Sequence, residues 1–100
     1  MEKREYLPLG SIVRLNGSTK KFIIVGRGLM IKQPEGTRFF DYAAVPYPEG
    51  ICEDKLGYFN SDVINKVVFR GFCDEDDQVI VDGIHAFLEK IEENVMKEDL

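Results

Sequence analysis

Residues able to carry chemistry are few in this chain, and their spacing matches no reaction centre. His85 is the sole histidine, and Cys52 and Cys73 are the two cysteines. Together they would give zinc three ligands of odd spacing, whereas zinc sites draw on closely spaced Cys and His pairs. A thiolate nucleophile needs an imidazole beside it, a third group to orient that imidazole, and backbone donors for the developing oxyanion. Neither an orienting Asn or Asp at a recognisable spacing nor a glycine-rich loop opening a helix is present. His85 falls beside an apolar helical stripe and reads as a partly exposed structural histidine.

Three further clusters invite chemistry and point elsewhere. The run Asp74-Glu75-Asp76-Asp77 could suggest a calcium loop, but the position that needs Gly holds Val79 and the position of the bidentate Glu holds His85. Contiguous carboxylates at the start of a helix complement its positive end, which is the simpler account. Gly26-Arg27-Gly28 is followed by another β-type run and not by a helix, so it cannot cradle a phosphate. Lys20, Lys21, Arg27, Lys32 and Arg38 lie among Phe22, Phe39, Phe40 and Tyr42, an interleaving that would suit nucleic acid or a small ligand and that core aromatics in strands explain as well.

Charge opposes the nucleic-acid alternative. Residues 1–50 carry eight Lys or Arg against five Asp or Glu, a balance of +3. Residues 51–100 carry five against thirteen, a balance of −8, so the chain as a whole stands at −5 with a pI near 4.8; such polarity could steer a partner or, more simply, let the two halves attract each other on folding. Phosphate neutralisation dominates nucleic-acid affinity, and an acidic protein works against it. A protein-binding reading remains: Tyr42, Tyr47, Pro48 and Tyr58 place aromatic rings on or beside rigid backbone, as interface anchors require, or else close the end of the core. No cofactor or metal is implied.

The elements that must position these residues follow from pattern. Leu7-Pro8-Leu9-Gly10 is an extended lead-in, because Pro8 holds the chain out of helix. Ser11–Leu15 and Lys21–Val25, joined by Asn16-Gly17-Ser18-Thr19, predict a β-hairpin. The glycines at 26 and 28 predict a bulge, with strand resuming at Leu29–Ile31 and a loop over Lys32–Thr37. Arg38–Val45 reads as a strand covered on both sides, with Asp41 paired or near an edge. The Pro46-Tyr47-Pro48-Glu49-Gly50 turn follows it, then a polar loop over Ile51–Gly57, a short strand or docking pair at Tyr58-Phe59, and a helical turn capped by Asn60-Ser61-Asp62. Lys66–Phe72 is the last strand. Ile80, Ile84, Phe87, Leu88, Ile91 and Val95 step by three and four and predict one amphipathic helix over 74–96, capped by Asp74.

The fold expected is α+β: a strongly bent antiparallel sheet of about five strands over 6–72, barrel-like if it closes, with the helix packed on it, all in one domain of residues 1–100. A stripe wider than the sheet can cover would make a homodimer. No apolar run approaches the roughly 20 residues of a membrane span, and Met1–Glu5 leads into Tyr6-Leu7-Pro8 without the apolar core of a signal peptide, so a cytoplasmic protein with reduced thiols is expected.

Ordered motifs carry a resemblance. Leu-Pro-Leu-Gly-Ser-Ile-Val at 7–13, Lys-Lys-Phe-Ile-Ile-Val-Gly-Arg at 20–27, Phe-Asp-Tyr at 40–42, Tyr-Pro-Glu-Gly at 47–50, Tyr-Phe-Asn at 58–60 and Val-Val-Phe-Arg-Gly-Phe at 67–72 follow one another as in DUF4176, a family of small Gram-positive bacterial domains of unknown function. The resemblance covers roughly residues 6–90. It implies genes beside those of type VII secretion and of toxins with an LXG-type export domain, hence a non-enzymatic accessory role as chaperone, targeting factor or adaptor for such a toxin or another secretion component. It supplies no catalytic residue.

Overall fold

The computed structural model describes residues 5–98, with side chains to residue 91. Its strands are β1 (Ile12–Leu15), β2 (Lys21–Gln33), β3 (Gly36–Tyr47), β4 (Gly57–Phe59) and β5 (Ile64–Phe69), followed by the helix α1 (Glu75–Glu98). The fold is α+β: one antiparallel sheet in the order β4-β3-β2-β1-β5, and one C-terminal helix. The sheet does not close into a barrel, since β4 and β5 remain its two edges. Sheet and helix form two compact units, Tyr6–Phe72 and the stretch from Cys73. The chain start Met1–Arg4 and the side chain of Val95 lie outside the described residues.

The β2–β3 hairpin is the spine of the sheet, and its length follows from tight turn chemistry. The stretch 32–37 expected as a loop is instead paired, Lys32 with Thr37 and Gln33 with Gly36, leaving only Pro34-Glu35 at the tip. The ring of Pro34 fixes φ for such a tight turn, and Gly36 takes φ +130, which lets the loop collapse to two residues. A bulge falls where the glycines announced it, between Ile24 and Gly26. A Cβ on Gly26 would come within 3.3 Å of the Ala43 Cβ, a tight contact that the glycine relieves. Beyond the short pairings of β1 and β4, the outer half of the hairpin from Leu29 to Phe40 has no third strand among the described residues.

β3 is buried continuously from Phe40 to Val45, as a strand covered on both faces must be. Its polar member Asp41 is 1% exposed and is satisfied locally. Tyr6 donates its hydroxyl to Asp41 Oδ1 at 3.0 Å, and the Ser61 backbone N–H donates to Oδ2 at 2.8 Å. The Asp41 N–H in turn donates to Asn60 Oδ1 at 2.9 Å. Asn60 therefore spends its side chain on β3 and does not cap the 3-10 turn Ser61–Val63, contrary to the sequence expectation.

β5 begins two residues earlier than expected and stops at Phe69. Its exit is set by Gly71, whose N–H donates to the buried Ser11 Oγ at 2.9 Å. A Cβ on Gly71 would lie 2.2 Å from the Leu9 carbonyl oxygen, so only glycine admits this approach of two backbones.

Asp74 caps α1 as expected, its Oδ1 accepting from the N–H groups of Asp76 (3.0 Å) and Asp77 (3.3 Å). The buried line of the helix is Val81 and Ile84, continued by half-buried Leu88 and Ile91. Ile80 and Phe87, expected on that line, are exposed at 55% and 42%. Apolar residues at 79, 80, 81, 84, 87, 88 and 91 span more than one stripe, so the period fixes the helix but not which edge of the stripe is buried.

Candidate protein-binding surface

Register decides which side chains share a face, because directly paired residues on neighbouring strands project the same way. Tyr47 pairs with Lys21, Lys21 with Arg14, and Arg14 with Lys66. These four form one row across β3, β2, β1 and β5. Two residues along β3, Val45 pairs with Ile23, and Ile23 with Ile12. Two further along, Ala43 pairs with Gly26 and with Tyr58 of β4.

Of the four residues expected to anchor a partner, three are at the surface. Tyr47 is 42% and Tyr58 36% exposed, and Pro48 is exposed beside Tyr47. The strand runs on through Pro46 and Tyr47, so the turn starts later than the sequence suggests. A hydrogen bond from the Gly50 N–H to the Pro46 carbonyl closes it at 2.7 Å, with Gly50 at φ +79. Lys21 Nζ stands 5.6 Å from the centre of the Tyr47 ring, and the Tyr58 ring lies 5.7 Å from that of Phe40. Both exposed rings are thus held in place before any partner arrives.

Tyr42, expected at the surface, lies in the core. It is 1% exposed, its ring packs edge-on against Tyr6 and tilted against Phe59, and its hydroxyl accepts the Leu7 N–H at 3.0 Å. Burial pushes its phenol above the ordinary tyrosine range; the Leu7 hydrogen bond opposes the shift and the Asp41 charge adds to it. Alternation along β3 could not reveal this, since both of its faces are covered.

Several of the basic residues read from the sequence are already engaged. Lys20 pairs with Glu49 and holds that exposed carboxyl below its usual range through the hydrogen bond between them. Arg27 donates to the Leu7 carbonyl at 3.4 Å, and Arg38 lies 5.5 Å from the Phe40 ring centre. Arg14 and Lys66, which no motif of the sequence singles out, join Lys21 in the row instead. Hairpin symmetry could have found the first pair, because Arg14 and Lys21 stand equally far from the turn at Gly17-Ser18.

β5 is an edge strand with Val67, Val68 and Phe69 exposed, and Phe72 beyond it is 81% exposed. Its pairing with β1 shifts register twice, leaving Asn65 and Val68 without direct partners on β1. Bulges and the cations Lys66 and Arg70 blunt an edge against strand addition, so this apolar margin is offered through its side chains.

Cys52 and Cys73 are free and exposed. Among the described residues no group of three or more His, Cys, Asp or Glu could hold a metal ion, and no helix is long and apolar enough to cross a membrane. No curated protein and no solved structure matches the chain significantly. The family comparison does find a match, over the lead-in, all five strands and the first turns of α1: residues 6–80 fit the sequence model of DUF4176, and the chain belongs to this family, a domain of unknown function.

Proposed function

We propose that this domain is a non-enzymatic, cytoplasmic protein-binding accessory factor in type VII secretion, acting on an LXG-type toxin as chaperone, targeting factor or adaptor. One observation carries the protein-binding part: two aromatic rings, Tyr47 and Tyr58, stand exposed on the sheet, each braced by a neighbouring side chain. Braced aromatics lose little rotamer freedom on association, and such residues dominate interface energetics. Exposed Val67 and Phe69 on β5 supply further apolar area at the sheet margin. The secretion context rests on membership of DUF4176 and on what resemblance to that family implies.

Co-expression with an LXG-type protein encoded beside it tests the reading. A stoichiometric complex should co-elute on size exclusion, and Tyr47→Ala with Tyr58→Ala should weaken it by about 2 kcal/mol or more, roughly 30-fold, without altering the circular dichroism of the domain. Two folded proteins that stay apart would sink the proposal.

A further inference from the structure

We infer that the row Lys66–Arg14–Lys21–Tyr47 is a recognition strip for an acidic helical segment of the protein partner; this inference rests on the protein-binding reading above. Three cations sit directly opposite one another on adjacent strands β5, β1 and β2, an arrangement that like-charge repulsion disfavours in an unliganded sheet. The ion pairs found among the described residues, Lys20–Glu49 and Lys55–Glu53, use none of the three. Arg14 is half-buried within the row, and its Nε has no hydrogen-bond partner among the described residues.

Spacing selects the ligand. Neighbouring strands lie about 4.8 Å apart, so the three cations are spread over about 10 Å across the sheet. Carboxylates at i, i+4 and i+7 of an α-helix recur every 5–6 Å, and about 10 Å separates the first from the last. A helix laid across the strands therefore presents one carboxylate to each cation, and Tyr47 ends the row with an exposed ring for an apolar neighbour on the same helix face. Single-stranded nucleic acid fits less well. It would need a series of stacking platforms where the row offers one ring.

The test uses the full chain and a fluorescein-labelled alanine-based helical peptide with Glu at i, i+4 and i+7, read by fluorescence anisotropy at low salt. Controls are the same peptide with Gln for Glu, and oligothymidylate. The Glu peptide should bind, weaken about tenfold or more in Lys21→Gln/Lys66→Gln, weaken further in Lys66→Glu, and weaken as salt rises. Lys66 is exposed on an edge strand, so its variants keep the fold, and relieving repulsion should leave thermal stability equal or higher. No binding of the Glu peptide, equal binding of the Gln peptide, indifference to the lysine variants, or tighter binding of oligothymidylate would each overturn the inference. A toxin complex that forms with full affinity in Lys21→Gln/Lys66→Gln would leave the protein-binding reading standing while removing this strip from it.

Discussion

Asp41 should be the most costly single polar residue to remove from the sheet. Its carboxylate is 1% exposed and accepts from the Tyr6 hydroxyl and the Ser61 N–H, tying the lead-in segment, β3 and the turn after β4 to one side chain. Asp41→Ala strands both donors, and each buried donor left without an acceptor costs about 1–3 kcal/mol. Ser61 is itself exposed, so water can partly rescue its N–H, and the expected loss is about 2–4 kcal/mol. That is a large share of the roughly 5–15 kcal/mol that holds a domain of this size folded. With a urea m-value near 1 kcal/mol/M, the midpoint should fall by about 2 M or more. Asp41→Asn keeps one acceptor oxygen but turns an amide donor towards the other partner, so about 1–3 kcal/mol should still be lost. Tyr6→Phe combined with Asp41→Asn should cost less than the sum of the two, with a coupling of about 1 kcal/mol or more. Equilibrium urea unfolding followed by circular dichroism measures all three. A loss under about 1 kcal/mol for Asp41→Ala, or strict additivity in the double variant, would refute the reasoning.

Three other perturbations follow from the same structure. Gly71→Ala should lower stability by about 2–4 kcal/mol, since its Cβ would strike backbone on the Leu9 side, whereas Gly83→Ala, with open space around it on α1, should gain up to about 1 kcal/mol; thermal melts compare the two. Asp74→Ala removes the acceptor for the Asp76 and Asp77 N–H groups and should cost α1 about 0.5–2 kcal/mol, visible as lost far-UV helix signal on heating. Tyr42→Phe should cost about 1 kcal/mol near neutrality by stranding the Leu7 N–H. Because burial raises the Tyr42 phenol, its contribution is full below the ordinary value of about 10 and is lost as pH rises through the higher folded value, so the wild-type melting temperature should drop above about pH 10 more steeply than that of the variant.

Local pattern and long-range pairing were legible to different degrees. The β1–β2 hairpin, the bulge at Gly26 and the Asp74 cap are each written within a few neighbouring residues, where turn chemistry and capping act directly. The turn within 32–37 is shorter than its residues suggest, because Pro34 and Gly36 mark a turn without fixing how few residues it needs. Tyr42 could not be sorted from Tyr47 by type, since what separates them is the tertiary cover over β3. The cationic row shows the same limit most sharply. Lys21 opposite Arg14 follows from hairpin symmetry, but Lys66 reaches Arg14 through a pairing between β1 and β5 that carries two register shifts, and a slip of one residue would have turned Lys66 to the other face. Those shifts do two things at once: they blunt the edge of β5 against strand addition, and they set the third cation beside the first two. An edge built to refuse strands while aligning positive charge is suited to a partner that offers acidic side chains and keeps its own backbone hydrogen bonds to itself, which is what a helix does.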